Sequence, residues 1–228
     1  MEPGLCDQSN QDNPVVFVID DDPDVREGLG ALFDSVNLHS GSFRSVEEFL
    51  RSQIPDQVSC LVLDVRLPGM SGLEFQTKCQ IDIPIIFITG HGDIAMSVKA
   101  IRGGAADFLT KPFREQEVLD AVWTALGRDR TRRSHKQRTH DLHSRFGTLS
   151  QREQEVMTLV VTGLMNKQVA AELGIAEVTV KVHRHNLMKK LDAQGLADLV
   201  RMADNLRPGS MSTRFKGATM KYNAPWVG

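Results

Sequence analysis

The chain has 228 residues, which is enough for two domains that each bury an apolar core. Its residues are 41% hydrophobic and 25% charged, a balance typical of soluble globular proteins. No apolar run approaches the ~18 residues that span a membrane, and the polar, acidic start is unlike a signal peptide. We therefore expect a cytoplasmic protein, and three cysteines without a CxxC pair (Cys6, Cys60 and Cys79) agree with reduced thiols.

Charge is divided unevenly along the chain, although the formal net charge is only −2. Residues 1–127 contain 9 basic and 20 acidic side chains, which gives a net charge of −11. Residues 128–228 contain 18 basic and 9 acidic side chains, which gives a net charge of +9. A basic second half favours a polyanionic partner, such as nucleic acid, for that part of the chain.

The first half alternates between apolar runs and helical patterns. The predicted strands are Val15–Ile19, Leu38–Phe43, Cys60–Asp64, Ile83–Thr89 and Phe108–Thr110. The predicted helices are Asp24–Val36, Val46–Arg51, Gly72–Gln80, Ile94–Arg102 and Arg114–Leu126. This alternation predicts an α/β doubly wound domain with a five-stranded parallel sheet over residues 14–127.

Charged residues stand at the ends of three predicted strands. Asp20, Asp21 and Asp22 follow the first strand, Asp64 ends the third and Lys111 follows the fifth. Because the carboxyl ends of parallel strands share one edge of a sheet, we expect these side chains to meet. Each alone has an ordinary interpretation, since acidic residues often cap helices and a Lys-Pro pair often has no role. Together they predict an aspartate that accepts a phosphoryl group beside Mg²⁺ or Mn²⁺, with a lysine that balances phosphoryl charge.

Residues 128–147 interrupt the alternation, because they contain seven Lys and Arg, three His and few apolar side chains. We predict a basic linker that is helical in part, as an extension of the preceding helix. It serves either as a solvated tether or as an aid in binding DNA phosphates. Residues 207–228 are rich in Gly, Ser and Pro without periodicity, and we predict a disordered tail there.

Residues 148–206 have the pattern of an all-α domain with a helix-turn-helix. The four predicted helices are Gln151–Thr162, Asn166–Leu173, Glu177–Leu191 and Gln194–Leu206. At 100° per residue, one face of the third helix is apolar and is expected to pack on the core; it holds Val180, Leu187 and Leu191. The opposite face holds Val178, Val182, His185 and Lys189. Such a face suits a DNA major groove, because lysine donates to guanine and valine methyls contact thymine methyls.

The segments IDDD, LDVRLPGMSG, ITGHGD and FLTKPF, in this order, resemble the receiver domain of bacterial two-component response regulators over about residues 14–127. The resemblance implies that Asp64 is phosphorylated. It implies four cation ligands, which are Asp20, Asp21, Asp64 and the backbone carbonyl of Arg66. It also implies that Thr89 is the switch hydroxyl and Phe108 the switch aromatic residue. Lys111 would contact the phosphoryl group, and the bond to the following Pro112 would be cis. His91 fits the loop that opens the fourth helix better than it fits a catalytic base.

The segments LSQREQEV and GLMNKQVAAELGIAEVTVKVHRHNLMKKL resemble the LuxR-type helix-turn-helix domain over residues 148–206. The resemblance implies that three side chains approach bases: Lys181, Val182 and His185. It implies phosphate or nearby contacts from five more: Thr179, Arg184, Lys189, Asn166 and Lys167. Three structural alternatives stay open. Asn166 could cap its helix, Val178 and Val182 could be ordinary surface residues, and His183 could serve packing or capping. Histidine also stands at residue 185, where that family often has a basic residue.

Together the two resemblances indicate a response regulator transcription factor of the FixJ/NarL type. A sensor histidine kinase would phosphorylate it, and a homodimer would form through Ile94–Arg102 and the Phe108 strand. That dimer would bind double-stranded DNA and act on RNA polymerase. We do not expect an enzyme, because an aspartate-nucleophile phosphatase usually has a second catalytic Asp where this chain has Arg66. A stand-alone phosphate-accepting module is disfavoured by the complete helix-turn-helix.

Overall fold

A computed structural model describes residues 13–79, 81–90 and 94–206 of the chain. The chain divides into two compact units, with the division between Ser134 and His135. Among the described helices, none combines the length and the apolar character that a membrane crossing requires. The predicted tail over 207–228 lies outside the described residues, as do Cys6 and His91.

The first unit contains a five-stranded parallel sheet. Its strands are β1 (Val15–Ile19), β2 (His39–Phe43), β3 (Ser59–Asp64), β4 (Ile85–Thr89) and β5 (Asp107–Thr110). The spatial order is β2-β1-β3-β4-β5, and each neighbouring pair is parallel. Every residue of β3 is buried, as expected for a central strand that is covered on both faces. The predicted doubly wound fold is confirmed.

Helices cover both faces of this sheet and divide the core in two. They are α1 (Pro23–Ser35), α2 (Val46–Arg51), α3 (Gly72–Lys78), α4 (Ile94–Arg102) and the long α5 (Glu115–Gly147). On one face, Phe33 of α1 and Val122 of α5 pack against the sheet. On the other face, Phe49 of α2, Phe75 of α3 and Ala100 of α4 pack against it. The sheet is therefore packed between two apolar layers.

The second unit is built around four further helices, α6 (Gln151–Val160), α7 (Asn166–Leu173), α8 (Glu177–Leu191) and α9 (Leu196–Leu206). Val180, Leu187 and Leu191 of α8 are fully buried, which confirms the predicted core face. Gly174 ends α7 with φ of 65°, a left-handed conformation that glycine adopts at little cost. The predicted four-helix domain is thus confirmed as a fold.

A buried carboxylate joins the start of α6 to α8. Glu153 forms a capping box with Ser150, and the Glu153 carboxylate lies 2.7 Å from the Lys190 ammonium. Burial opposes ionisation of Glu153, but the hydrogen bonds from Lys190 and Ser150 outweigh it and lower its pKa. The carboxylate therefore stays charged and holds the two helices together.

Helix α5 continues without interruption to Gly147, where the sequence predicted a linker that is helical only in part. Its last turns bring Leu142 and Phe146 into the core of the second unit, and Arg145 donates to the Leu191 carbonyl at 3.3 Å. The segment contains no glycine or proline before Gly147 to end the helix. Its few apolar residues gave too weak a periodicity to predict this packing.

Candidate acidic pocket and nucleic-acid interface

The predicted pocket forms at the carboxyl edge of the sheet. The Lys111 ammonium lies 2.6 Å from Asp20 Oδ2 and 2.8 Å from Asp64 Oδ2, so one lysine bridges two carboxylates from different strands. Asp20 is fully buried and Asp64 is 6% exposed. Because β1 and β3 are adjacent, the two carboxylates are brought together by the sheet itself.

Backbone and side-chain donors fix the remaining oxygens of the pocket. The Arg66 N–H donates to Asp64 Oδ1 at 2.8 Å, and the Asp22 N–H donates to Asp20 Oδ1 at 3.0 Å. Arg26 of α1 donates from Nη1 to the Asp20 carbonyl at 2.7 Å, which ties the loop after β1 to the helix that follows it. Each buried carboxylate thus has a defined orientation before any ligand binds.

The electrostatics of the pocket favour a bound cation. Burial raises the pKa of Asp20, and the nearby Asp64 charge raises it further, although hydrogen bonds from Lys111 and Asp22 oppose this. Burial alone would lower the pKa of Lys111, but its hydrogen bonds to Asp20 and Asp64 outweigh burial and raise it. The lysine is therefore charged, while ionisation of Asp20 costs free energy that a second positive charge would recover.

Three carboxylates are placed so that they could share a metal ion. Ligand oxygens of Asp20, Asp21 and Asp64 all lie within 4.8 Å of one another, and Asp21 is exposed. Oxygen-only ligands with one open, solvent-facing side suit Mg²⁺, which keeps several water ligands. The residues therefore fit a hard divalent cation. Three carboxylates face only one ammonium group, so a bound cation would balance the remaining negative charge.

The other predicted pocket residues lie around these carboxylates. Thr89 ends β4 fully buried, and its carbonyl accepts from the Lys111 N–H at 2.8 Å. Phe108 of β5 is partly buried against the core that contains α3 and α4. The Lys111–Pro112 bond is cis, as the resemblance to receiver domains implies. The structure thus brings Asp20, Asp64 and Lys111 into contact at the carboxyl edge of the sheet. Thr89 ends the neighbouring strand β4, whereas Phe108 lies earlier along β5.

Gly72 is a pocket residue that sequence reasoning missed. A Cβ atom on Gly72 would lie 2.5 Å from the Asp64 carbonyl oxygen and 3.1 Å from Leu63 Cγ and Phe87 Cε1. The Gly72 N–H also donates to the Val65 carbonyl at 3.1 Å. The first turn of α3 therefore touches the backbone of Asp64 itself. The glycine in Met-Ser-Gly after the Asp64 strand was the available signal, because close backbone approach requires glycine.

Gly72→Ala is expected to lower the free energy of unfolding of the first unit by about 1–3 kcal/mol, because the new methyl group has no space. Urea unfolding of the two proteins measures the difference. Gly28→Ala is the matched control, since nothing lies within 4 Å of its added Cβ. Gly28 lies in the interior of α1, where alanine is expected to stabilise by about 0.5–1 kcal/mol. Equal effects of the two substitutions would contradict the close approach at Gly72.

In the second unit, α8 presents a largely exposed face opposite its buried residues. Val178 is 66% exposed and Val182 is 53% exposed, which is unusual for valine in a packed domain. Lys181, His185 and Lys189 are also exposed on this helix. Lys181 pairs with Glu177 at 3.1 Å, an exposed pair that a stronger anion can displace. The predicted combination of cations and small apolar groups is therefore accessible to a ligand.

A side-chain bond connects the two helices of the helix-turn-helix. Arg184 of α8 donates from Nη1 to Asn166 Oδ1 of α7 at 3.0 Å. Asn166 is the first residue of α7, whereas Met165 occupies the N-cap position, so the predicted alternative of a capping Asn166 is not what the structure shows. Thr179 is half-buried and Lys167 is exposed at the start of α7. The DNA-facing roles of these residues stay predictions.

Each of the two units matches a known protein family. Residues 16–123 match the family described as "Response regulator receiver domain". Residues 147–203 match the family described as "Bacterial regulatory proteins, luxR family". The parallel sheet with its acidic edge falls in the first match and the exposed α8 in the second.

Individual relatives match across both units. Nodulation protein W of Bradyrhizobium diazoefficiens is 60% identical over 195 residues, which cover 84% of this chain and 86% of that protein. Transcriptional regulatory protein FixJ of Azorhizobium caulinodans is 42% identical over 82% of this chain and 90% of that protein. The solved structure of the response regulator StyR is 50% identical, with a TM-score of 0.76 over 84% of this chain and 98% of that one. The chain belongs to the FixJ-type response regulators of two-component systems, which combine a receiver domain with a LuxR-type DNA-binding domain.

Proposed function

We propose that Asp64 accepts a phosphoryl group and that this modification controls how the second unit binds DNA. The observation that carries the proposal is the Asp64 carboxylate, held by Arg66 and Lys111 beside two further carboxylates at the edge of a parallel sheet. Membership of the response-regulator family supports the same function. The phosphoryl donor would be a phosphohistidine of a sensor histidine kinase.

The pocket residues suit the charge problem of this reaction. One Asp64 oxygen attacks phosphorus, the donor bond breaks with its electron pair on the leaving nitrogen, and an aspartyl phosphate forms. Asp20, Asp21, Asp64 and the Arg66 carbonyl would hold Mg²⁺ or Mn²⁺, which supplies charge neutralisation for the transferred group when bound. Lys111, now shared between two carboxylates, would turn one hydrogen bond toward the phosphoryl oxygens.

Thr89 and Phe108 are proposed to transmit the change. The Thr89 hydroxyl would donate to the new phosphoryl group, because Thr89 ends the strand next to the one that carries Asp64. Phe108 would then change its packing on β5, which pairs with β4. The adjacent α4 carries exposed Ile94 and Ile101, at 84% and 50% exposure, and we propose that this surface forms the homodimer of the phosphorylated protein.

Helix α8 is proposed to enter the major groove of double-stranded DNA. Lys181, Val182 and His185 would contact base edges. Phosphates or neighbouring groups would be contacted by five residues: Thr179, Arg184, Lys189, Asn166 and Lys167. The bound dimer would then act on transcription through RNA polymerase. We do not propose catalytic turnover for the chain, because its relative FixJ is named as a transcriptional regulatory protein.

Phosphoryl mapping tests the proposal. Incubation with acetyl phosphate and Mg²⁺ is expected to add one phosphoryl group, which mass spectrometry of peptides places on Asp64. Removing the divalent cation with EDTA is expected to suppress the modification, because the carboxylates then lack their neutralising charge. Selection of bound sequences from random DNA duplexes, with and without the phosphodonor, tests whether the modification controls DNA binding. Modification at another residue, or none at all, would overturn the proposed acceptor.

A further inference from the structure

A buried ionic cluster lies far from the acidic pocket, at the amino end of β3. Asp129 of α5 is fully buried, and its Oδ2 accepts from the Ser59 N–H at 3.0 Å. Ser59 begins the strand that ends in Asp64. The side chain of Asp129 is therefore bonded to the strand that carries the proposed acceptor, but at the opposite end.

Two arginines of the basic segment close around Asp129. Arg132 donates to Asp129 Oδ1 from Nε at 3.0 Å and from Nη2 at 2.6 Å. Arg133 donates from Nε to Asp129 Oδ2 at 2.7 Å. Each arginine also reaches an acid in a loop: Arg132 lies 2.9 Å from Asp82, and Arg133 pairs with Asp56. We call Asp56, Asp82, Asp129, Arg132 and Arg133 the Asp129 clamp.

The clamp is a stronger attachment than ordinary surface ion pairs. Asp129 is buried and its oxygens accept four hydrogen bonds, so its charge is fully compensated. Burial alone would lower the pKa of Arg133, but hydrogen bonds to Asp56 and Asp129 raise it above its usual value. The side chains of Arg132 and Arg133 are only 31% and 24% exposed. Both guanidinium groups are thus committed to the first unit.

We propose that the Asp129 clamp is an autoinhibitory contact that withholds Arg132 and Arg133 from nucleic-acid phosphates. Residues 128–147 contain seven Lys and Arg, the densest cationic run in the chain, and the clamp occupies two of them with carboxylates that compete with phosphate. A guanidinium makes the same two-pronged contact with either anion, so opening the clamp exchanges one partner for the other. The proposal rests on the DNA-binding function proposed above and adds a control on it.

Salt dependence of DNA binding measures the number of cations that reach phosphates. Each phosphate that a protein neutralises steepens the plot of log affinity against log salt by about 0.9. Asp129→Asn in the full chain is expected to steepen this slope by up to about 2 on a mixed-sequence duplex, because both arginines are released. Asp120→Asn is the matched control: it removes one charge from the same helix, at a residue bonded to Gln116 and outside the clamp.

Three further variants separate release from misfolding. The double variant Asp56→Asn, Asp82→Asn keeps Asp129 in place. It is expected to steepen the salt slope less than Asp129→Asn does, and to be cleaved faster by trypsin after Arg132 and Arg133. The pair Arg132→Gln and Arg133→Gln is expected to leave the wild-type slope unchanged, because these cations are already withheld. When the two arginine substitutions are combined with Asp129→Asn, the salt slope is expected to return to the wild-type value.

The proposal is overturned if both releasing variants have the slope of Asp120→Asn. It is also overturned if the two glutamines alone flatten the wild-type slope, since the arginines would then already contact DNA. A wild-type protein without salt-dependent binding to duplex DNA would instead remove the proposed DNA-binding function, which the clamp requires.

Discussion

Replacing Asp64 with asparagine is expected to abolish the entire gain in DNA affinity that acetyl phosphate and Mg²⁺ produce in the wild-type protein. An amide has the volume of the carboxylate and still accepts from the Arg66 N–H, which now donates to Asp64 at 2.8 Å. It is not a nucleophile toward phosphorus, however, and it removes one of three charges that would hold the cation. Fluorescence anisotropy with a selected duplex, with and without the phosphodonor, measures the gain.

Asp22→Asn is the control for this change. It removes the same charge from the loop after β1, but Asp22 serves as the N-cap of α1 and accepts from the Asp24 N–H at 2.9 Å. Asparagine caps helices about as well as aspartate, so this variant is expected to stay folded and to respond to the phosphodonor. A full response of Asp64→Asn would place the acceptor elsewhere, whereas failure of both variants would indicate that only the total negative charge at this edge of the sheet matters.

Val180→Asp is expected to abolish DNA binding while leaving phosphorylation of the first unit intact. Val180 is fully buried in the core of the second unit, and an unpaired carboxylate there costs several kcal/mol. The first unit has its own two core clusters, which contain no residue of α8. Calorimetry is expected to show loss of one unfolding transition, and peptide mass spectrometry to show retained modification of Asp64.

Val182→Asp separates this effect from simple charge repulsion. Val182 is on the same helix but 53% exposed, so an aspartate there remains hydrated and the domain is expected to stay folded. DNA affinity is still expected to fall, because a negative charge would face the phosphates and bases of the groove. If Val182→Asp binds DNA as well as the wild type does, the exposed face of α8 is not the DNA-contacting surface.

The sequence predicted the parts of the fold that depend on local pattern. Buried apolar strands were followed by Asp20 or ended in Asp64 and Thr89, and parallel connections bring such strand ends to one edge of a sheet. The residues of the acidic pocket followed from that rule. The opposite burial of Val180 and Val182 followed in the same way from helical periodicity.

Contacts between residues distant in sequence could not be predicted in this way. Asp129 appeared to be one acid in a basic segment, and nothing local indicates that it bonds to Ser59, 70 residues away. Gly72 and Arg26 were missed for a similar reason, because their partners are backbone atoms of Asp64 and Asp20. Backbone atoms carry no residue identity, so a sequence pattern cannot show which side chain will reach them.

The bond between Arg184 and Asn166 has a consequence for the thermodynamics of the DNA contact proposed for Arg184. A long guanidinium side chain normally loses rotamer freedom when it meets a nucleic acid, at a cost of up to about 2 kcal/mol. Here that freedom is restricted when the chain folds, since Arg184 is already bonded across the two helices at 3.0 Å. The helix pair is preorganised, so association would proceed with a smaller entropic penalty and little local rearrangement.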